Sequence, residues 1–344
     1  MRRTGRGTRP LPEMLIDVHS HYMPKAVARA LEGRADAPRI FKREGKSLIE
    51  YGERSVAPLT PVFSEPELIL ERMDEAGIDH AVLSVTIPGV DWLEAQHGEE
   101  VAQAANEETA AIVARYPDRF SGLATVPLQA PERAASVLRQ AAGLGLKGAM
   151  VYSNVAGGHL DEPSRRIFFD TASSLDLPIM LHPTYPLCAP SMTAGGMIEM
   201  VGFLFDTTTA ALRLVFDGLY ERHPDFKFIV PHAGSLIPYF AGRIDHFGGV
   251  QRPGSTGNIS GPASDHIRKF YVDTVCESAP ALHFCCDFFG VDRIMHGTDH
   301  PFWPMPLGPR LLDQLELTAD DREKIEEKNA ARVFHIQVPA RGIG

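Results

Sequence analysis

Two histidines stand one residue apart at the end of an apolar segment near the start of the chain, in "LIDVHSHYMP" (15–24). Side chains alternate between the two faces of a β-strand, so His19 and His21 point to the same side if this segment is a strand. Two imidazoles on one face can form half of a metal site. They can equally be two core histidines, one hydrogen-bonded and one exposed, and the segment by itself leaves both interpretations open.

Three further side chains with acid–base or metal-binding chemistry follow other apolar segments. His182 ends "IMLH", His232 follows "FIVP", and Asp299 follows "IMHGT". Imidazoles and a carboxylate that are crowded together in a protein interior are costly, and a divalent cation removes that cost by accepting their lone pairs. Such ligands suit one Zn²⁺ ion, with Mn²⁺, Fe²⁺ and Co²⁺ as alternatives.

These residues need a scaffold that brings distant strand ends together. Eight short apolar segments alternate with segments of helical periodicity, which is the pattern of repeated β and α units. The predicted strands are 14–18, 80–86, 120–126, 147–152, 177–182, 226–232, 269–275 and 293–298. Eight units predict an α/β protein of the (β/α)8 TIM-barrel class, in which the carboxyl ends of the strands carry the site. A doubly wound sheet is the competing architecture, but no GxGxxG motif follows the first strand.

We interpret residues 14–344 as a single domain, since no fixed-period repeat, low-complexity tract or Ser-rich linker divides them. The basic segment 1–13 has the composition of a flexible N-terminal tail rather than an export signal. A long segment rich in Gly and Pro separates the first two predicted strands, so we expect a long irregular insertion there. In a barrel, a loop at that place lies over the active site.

The overall composition limits the classes of function. Hydrophobic residues make up 44% of the chain and charged residues 23%, as in soluble globular proteins. The net charge of -10 and the lack of a basic stripe argue against a nucleic-acid or lipid partner. No segment reaches the roughly 20 apolar residues of a membrane helix. The four cysteines show no CxxC spacing, so we expect a cytoplasmic protein that acts on small molecules.

The order of several motifs along the chain resembles a known family. These motifs are "IDVHSH", "HP", "PHAGSLIPYFAGRIDH" and "GTDHPF", with further similarity through 116–129 and 201–234. They are similar to those of the amidohydrolase superfamily, and specifically of its branch that contains 2-amino-3-carboxymuconate-6-semialdehyde decarboxylase and related nonoxidative decarboxylases. The resemblance covers most of the chain, but it does not identify a substrate.

The resemblance implies four ligands of one metal ion, and these are His19, His21, His182 and Asp299. It implies that His232 stands beside the metal as a catalytic acid or base and that Asp299 takes part in moving a proton. Binuclear members carry a lysine at the end of strand four, whereas Lys147 lies at the beginning of that strand here. The arginine of the "GRID" segment, Arg243, is implied to reach into a neighbouring subunit and hold a substrate carboxylate, which predicts a homodimer.

A second substrate arginine is expected in the loop after strand one. Arg54 is the candidate, Arg39 and Arg43 are alternatives, and a structural role is open for each of them. Asn154, in the loop after strand four, either contacts the substrate or belongs only to the loop.

Residues next to the predicted ligands are expected to support them. Asp17 is expected to orient a neighbouring group through a hydrogen bond. His300 is expected to have a supporting role, because strand alternation turns it away from the side that Asp299 faces. Phe302 and Trp303 either form an apolar wall for a conjugated substrate or serve only in packing.

Together these residues predict a metal-dependent nonoxidative decarboxylase, a carbon–carbon lyase acting on a carboxylated muconate semialdehyde or a hydroxybenzoate-like small molecule. The metal polarises the substrate, arginine anchors a carboxylate and His232 transfers the proton. No organic cofactor is required. A metal-dependent hydrolase of a lactone, ester or amide is the alternative, because the same ligands would serve it. A noncatalytic metal-binding scaffold is a third hypothesis.

Overall fold

The computed structural model describes residues 14–192, 194–248 and 257–338, so the predicted tail 1–13 lies outside the described residues. Within these ranges the strands are β1 (Ile16–Tyr22), β2 (Arg39–Arg43), β3 (Lys46–Gly52), β4 (Ser55–Pro58), β5 (His80–Val85), β6 (Phe120–Gly122), β7 (Ala149–Tyr152), β8 (Ile179–His182), β9 (Phe228–Val230), β10 (Tyr271–Asp273) and β11 (Ile294–Met295). All eight predicted strands are present, and β1 extends through both histidines of the HxH motif.

The strands predicted from the apolar segments run parallel in two sheets, β1-β5-β6 and β7-β8-β9-β10-β11. Backbone hydrogen bonds connect the sheets on both sides. Ala124 N donates to Gly148 O (2.8 Å) beyond the end of β6, and Val18 N donates to His296 O (2.9 Å) beyond the end of β11. The result is a TIM-barrel-like α/β arrangement, in which the carboxyl ends of all eight strands lie at one side.

Helices follow most of these strands along the chain. Their bounds are Lys25–Leu31, Pro66–Ala76, Ala95–Arg115, Pro131–Gly143, Arg166–Ser174, Phe203–Phe216, Leu219–Arg222, Ile237–Gly248, Ala263–Ile267, Ala279–Phe289, Leu307–Leu312, Ala319–Glu323 and Asn329–Phe334, with single π-helical turns at Ile198–Gly202 and Lys324–Lys328. Pro131 begins its helix, where a missing N–H costs nothing. No helix in the described ranges combines the length and apolar character that crossing a bilayer requires.

The core lies between the strands and the helices. All six residues of β5 and all four of β7 are buried, as expected for parallel strands that are covered on both faces. Ala134, Leu138 and Ala141 recur at helical spacing and are buried in the same cluster as the strand residues. This packing makes the strand ends a rigid platform for the loops that follow them.

The prediction of an irregular insertion after the first strand is wrong for residues 39–58. Strands β2, β3 and β4 form an antiparallel sheet there, with Ile49 of β3 paired with both Ile40 and Ala57. The turn between β2 and β3 is formed by Glu44 (φ 53°) and Gly45 (φ 76°), both in the left-handed region that two-residue hairpins favour. The glycine content that suggested irregularity marks a hairpin turn instead.

One buried carboxylate outside the predicted site affects the stability of the fold. Asp91 lies in the connection between β5 and the helix Ala95–Arg115, and it is 6% exposed. Its Oδ1 accepts a hydrogen bond from the backbone N–H of Leu128 (2.8 Å). Burial raises the pKa of this carboxyl to about 7, against a smaller opposing effect of that hydrogen bond.

We predict that Asp91→Asn becomes stabilising relative to the wild type as the pH rises. A carboxyl whose pKa is raised on folding contributes stability that is fully present below pH 3.8, its ordinary pKa, and is lost as the pH rises towards about 7. Asparagine keeps an oxygen for Leu128 and cannot ionise. The difference in unfolding free energy between variant and wild type should grow by up to about 1.4 kcal/mol per pH unit between about pH 4 and 7.

Chemical denaturation at several pH values measures this difference, and Asp225→Asn at an exposed aspartate is the matched control. Parallel stability profiles for Asp91→Asn and the wild type would contradict the prediction.

Candidate metal centre

The structure brings the four predicted ligands together. β1 carries two of them, β8 ends with the third, and the fourth follows β11. One ligand atom from each lies within 4.8 Å of the others, and all four residues are buried: His19, His21, His182 and Asp299. The expectation that the HxH motif faces the other strand ends is therefore confirmed in geometry.

Each imidazole is fixed by a hydrogen bond at Nδ1. The pairs are His19 with Asp273 Oδ2 (2.7 Å), His21 with Ser84 Oγ (2.9 Å) and His182 with Pro183 O (2.7 Å). A carbonyl oxygen only accepts, so Nδ1 of His182 carries the proton and its Nε2 presents a lone pair. The carboxylate of Asp273 has the same effect on His19. Ser84 donates its own proton to Ser20 O (3.2 Å) and so accepts from His21.

The three Nε2 atoms converge on one point. His19 Nε2 and His21 Nε2 are 3.0 Å apart, so two lone pairs face each other unless a proton or a cation lies between them. Nε2 of His182 is buried and has no hydrogen-bond partner among the described residues. Asp299 Oδ1 lies 3.1 Å from His21 Nε2 and 3.3 Å from His19 Nε2. Three nitrogen lone pairs and one carboxylate oxygen in this arrangement fit a single divalent cation.

The protonation states agree with this interpretation. Burial lowers the pKa of His182 to about 3 and that of His21 to about 4, so both rings are neutral near pH 7. Burial also opposes charge on His19, but the carboxylates of Asp299 and Asp273 outweigh it and raise its pKa. Burial raises the pKa of Asp299, but the charge on His19 and the hydrogen bonds from the surrounding imidazoles outweigh it. The pKa of Asp299 is therefore well below its ordinary value. An ionised Asp299 beside neutral His21 and His182 is the form that binds a metal, and a cation bound there would take the place of the proton that the two carboxylates favour on His19.

Asp299 is held in an unusual backbone conformation. Its φ of 57° lies in the left-handed region, which is unfavourable for a residue with a side chain. Asp17 fixes the preceding residue by accepting hydrogen bonds from Thr298 N (3.0 Å) and Thr298 Oγ1 (2.6 Å). The backbone N–H of Asp299 donates to His19 O (2.7 Å). Asp17 thus orients a neighbouring group, as expected.

His300 supports the centre without joining it. Its carbonyl accepts a hydrogen bond from the backbone N–H of His21 (2.7 Å), and its ring is outside the group of four ligands. Lys147 precedes β7, and the end of that strand carries Tyr152, whose hydroxyl donates to Val85 O (2.9 Å). The place of a bridging lysine is thus occupied by a tyrosine that is bound to the backbone, which favours a single metal ion.

Asp273 is a functional residue that the sequence reasoning did not single out. It ends β10 and is fully buried. Its Oδ2 accepts from His19, while Oδ1 accepts from the backbone N–H groups of Ala233 (3.0 Å) and Val275 (3.1 Å). The available signal was its position, since it lies near the carboxyl end of the predicted strand 269–275.

His232 stands between the ligands and open space. Its Nε2 is 3.4 Å from Asp299 Oδ2, and its Nδ1 has no hydrogen-bond partner among the described residues. The backbone at 232–235 is left-handed throughout, with φ between 54° and 77°. The hydrogen bond from Ala233 N to Asp273 holds this strained turn in place.

A cavity of about 1200 Å³ opens beside the four ligands, and His182, His232 and Asp299 line it. Phe302 and Trp303 also line it, and the Phe302 ring packs edge-on against His21 with a centroid distance of 5.9 Å. Both aromatic side chains therefore border the cavity, and Phe302 also packs against the centre. This volume is slightly above the range of roughly 300–1,000 Å³ that is usual for sites of small organic molecules.

The three arginine candidates of the insertion differ in whether they line this cavity. Arg54 lines the cavity from the turn between β3 and β4, whereas Arg39 and Arg43 do not line it. Arg39 is bound to Glu50 (2.5 Å) within the insertion sheet. Arg243 is exposed on the helix Ile237–Gly248 and stacks over Phe247 at 4.7 Å, so it is not part of its own chain's cavity.

Asn154 does not reach the cavity at the metal centre. Its amide donates to Tyr185 O (3.0 Å) and Asp206 Oδ2 (2.9 Å), and its Oδ1 accepts from Gly157 N (3.2 Å). These contacts satisfy its polar atoms within the protein, and Asn154 lines a smaller cavity of about 360 Å³ instead.

Comparisons with known proteins agree with this site. Residues 16–336 match the family model described as Amidohydrolase. The 2-amino-3-carboxymuconate-6-semialdehyde decarboxylase of Dictyostelium discoideum is 29% identical over 87% of this chain and 84% of its own length. The gamma-resorcylate decarboxylase of Rhodococcus jostii (strain RHA1) is 32% identical over 78% and 86%. The solved structure of a dihydroxybenzoic acid decarboxylase from Polaromonas sp. JS666, with bound manganese and the inhibitor 2-nitroresorcinol, is 26% identical with a TM-score of 0.77, covering 94% of this chain and 97% of that one.

We predict that Asp273→Asn weakens metal binding by about 10–100-fold while the protein stays folded. The carboxylate accepts on both oxygens, from His19 on one side and from two backbone N–H groups on the other. An amide has only one oxygen, so its NH₂ must face a donor on one side. When the amide oxygen stays with the two backbone N–H groups, its NH₂ faces Nδ1 of His19, which must then accept. The ring proton moves to Nε2, and the lone pair that would bind the metal is lost. His182→Ala, which removes a ligand outright, should have a larger effect.

Metal content after dialysis against metal-buffered solutions measures the affinity. Asp206→Asn is the matched control, because Asp206 is also buried and accepts hydrogen bonds from Ser153 and Asn154 away from the centre. Equal metal affinity of the wild type and both centre variants would show that this cluster is not the metal site.

Proposed function

The chain belongs to the amidohydrolase family, and from that premise we propose that it is a metal-dependent nonoxidative decarboxylase, a carboxy-lyase of a small aromatic or muconate-type carboxylate. The observation that carries the proposal is the position of His232, which lies against Asp299 on one side and lines the cavity of about 1200 Å³ on the other. The decarboxylase names of the relatives support the same reaction class. The site belongs to a closed (β/α)8 barrel formed by a single domain, 14–344.

One divalent ion completes this site, held by the side chains of His19, His21, His182 and Asp299. Zn²⁺ suits three imidazoles and a carboxylate, and Mn²⁺ is the second candidate because the Polaromonas enzyme binds manganese. When bound, the ion polarises a substrate oxygen and stabilises the charge that develops as CO₂ leaves. The four cysteines are free thiols, which agrees with a cytoplasmic location.

The protein's own residues supply the proton transfer. When the bond between the carboxylate carbon and the ring or chain carbon breaks, its electron pair stays on the second carbon, which must take up a proton. His232 lines the cavity and is the imidazole that is not a metal ligand there, so it is the proton donor. Asp299 accepts the hydrogen bond from its Nε2 and so fixes the ring and the proton's position.

The cavity wall supports a planar carboxylated substrate. Phe302 and Trp303 offer apolar contact to a conjugated system, and Arg54, which lines the same cavity, offers a charged partner for a carboxylate. We prefer Arg54 to Arg39 and Arg43 for this role because it lines the cavity, and the other two do not.

We predict that His232→Asn lowers decarboxylation by about 10²–10⁴-fold and leaves metal content unchanged. Asparagine fills similar space but cannot protonate carbon. The measurement is CO₂ release from 2,6-dihydroxybenzoate, other hydroxybenzoates and carboxylated muconate semialdehydes, after loading with Zn²⁺ or Mn²⁺. Hydrolysis of a panel of lactones, esters and amides by the same protein, with no CO₂ release from any carboxylate, would replace this proposal with the hydrolase alternative.

Arg243 is proposed to serve the partner's site in a homodimer. It is exposed on the helix Ile237–Gly248 and absent from its own chain's cavity wall. An exposed guanidinium that holds a substrate carboxylate must therefore do so in another copy of the chain. The exposed aromatic side chains Tyr239 and Phe247 on the same helix give that contact apolar area.

We predict that coexpressing Arg243→Met with His232→Asn restores activity that neither variant has alone. A hybrid dimer contains one site with an intact His232 and a partner's intact Arg243. Random pairing makes half of the dimers hybrids, each with one of two sites intact, so about a quarter of wild-type activity is expected. Purification through two different tags isolates the hybrids. No recovery in purified hybrids would show that Arg243 does not act across an interface.

A further inference from the structure

Tyr51 is a buried side chain whose hydroxyl has no assigned role. It lies on β3 of the insertion sheet and is 7% exposed. Its hydroxyl has no hydrogen-bond partner among the residues that the structure describes. A buried hydroxyl without a partner is unfavourable, so its presence needs an explanation.

The backbone aims Tyr51 at the metal centre's cavity. The pairing of β3 with β4 shifts register between Glu50 and Gly52, as in a β-bulge, so Tyr51 has no partner across the sheet. Bulges redirect side chains and are frequent next to active sites. The Tyr51 side chain lines the cavity of about 1200 Å³ together with His182, His232 and Asp299, and it also lines a smaller cavity of about 360 Å³.

The neighbours of Tyr51 fix its position. A Cβ on Gly52 would lie 2.4 Å from the ring of Tyr185, so only glycine allows this ring to pack against the hairpin. The hydroxyl of Tyr185 donates to Glu53 O (3.2 Å), and Ser55 Oγ donates to Glu199 Oε1 (2.7 Å). The hairpin that carries Tyr51 is therefore tied down on both sides of it.

Two serine hydroxyl groups on the same wall already have protein partners. Ser55 is bound to Glu199, and Ser235 Oγ is 2.7 Å from Thr207 Oγ1. Burial, with the nearby charges of Asp299 and Glu199, raises the pKa of Tyr51, so its hydroxyl stays protonated and can donate. Among the described residues of this wall, the Tyr51 hydroxyl is thus a buried donor left for a ligand.

We propose that Tyr51 contacts the substrate and donates its hydroxyl proton to a substrate oxygen, either of the carboxylate or of a ring hydroxyl. This inference rests on the proposed function, since it places the substrate in this cavity. A donor at this depth selects substrates that carry an oxygen at the matching position, because an analogue without it would leave the hydroxyl unpaired. Tyr51 would then determine substrate specificity from the insertion sheet, whereas the metal ligands come from the barrel strands.

The test is Tyr51→Phe in the metal-loaded protein, with 2,6-dihydroxybenzoate and benzoate as probes in calorimetric binding. Loss of a hydrogen bond to a charged oxygen should weaken 2,6-dihydroxybenzoate by about tenfold to a hundredfold. An equal loss for benzoate assigns the contact to the carboxylate, and a smaller loss assigns it to a ring hydroxyl. Metal content should not change.

Tyr220→Phe is the matched control. The hydroxyl of Tyr220 is also buried without a hydrogen-bond partner among the described residues, but it lies in the helix Leu219–Arg222, packed on Phe270 and outside the cavity. We expect Tyr220→Phe to bind both probes like the wild type. The free Tyr51→Phe protein should unfold at the same temperature as the wild type or higher, because its hydroxyl has no protein partner to lose.

Two results would overturn the inference: unchanged probe binding by Tyr51→Phe, or a fall in its unfolding temperature that Tyr220→Phe does not show, which would reveal a structural bond. A wild type that binds the probes and releases no CO₂ from any substrate would refute the proposed function. The ratio of the probe affinities of the wild type and Tyr51→Phe would still test the role of Tyr51.

Discussion

Three imidazole lone pairs and one carboxylate oxygen share a buried volume in this protein, and such crowding is unfavourable unless a cation joins them. The arrangement persists because each ring is fixed from its far side. His19 and His21 give their Nδ1 protons to acceptors that are distant in the chain, Asp273 and Ser84, and His182 gives its Nδ1 proton to a backbone carbonyl. The geometry of the centre therefore depends on the hydrogen bonds behind its four residues as well as on the residues themselves, because these bonds determine where the lone pairs point.

Two buried carboxylates behind the centre connect it to strained backbone. Asp17 holds Thr298, next to the left-handed Asp299, and Asp273 holds Ala233, next to the left-handed His232. Strain of this kind persists only where the surrounding structure determines it. Since Asp273 bonds both His19 and Ala233, the position of a metal ligand and that of the proposed proton donor are set by one side chain.

The sequence was sufficient to predict that eight strands are present and roughly where they lie, because this follows from local periodicity, whereas the set of four ligands was implied by the resemblance to a family. Alternation in β1 puts His19 and His21 on one face whatever the rest of the chain does. Contacts between distant segments could not be predicted this way. The side-chain amide of Asn154 is hydrogen-bonded to Asp206, 52 residues away, and this contact holds it away from the cavity at the metal centre. The composition of 39–58 likewise does not distinguish hairpin turns from an irregular loop, because glycine serves both.

The side chains that surround the cavity come from two different parts of the fold. The parallel strands supply the ligands and His232, so the proton transfer and the charge stabilisation belong to the rigid platform. Arg54 and Tyr51 come from the antiparallel insertion sheet, which forms one wall of the same cavity. An insertion can change its side chains without moving the strand ends, since the backbone pairing of this sheet lies within β2, β3 and β4. The matched relatives are named for substrates as different as a muconate semialdehyde and a resorcylate. Under the proposed function, the side chains of this wall would determine which substrate this chain accepts.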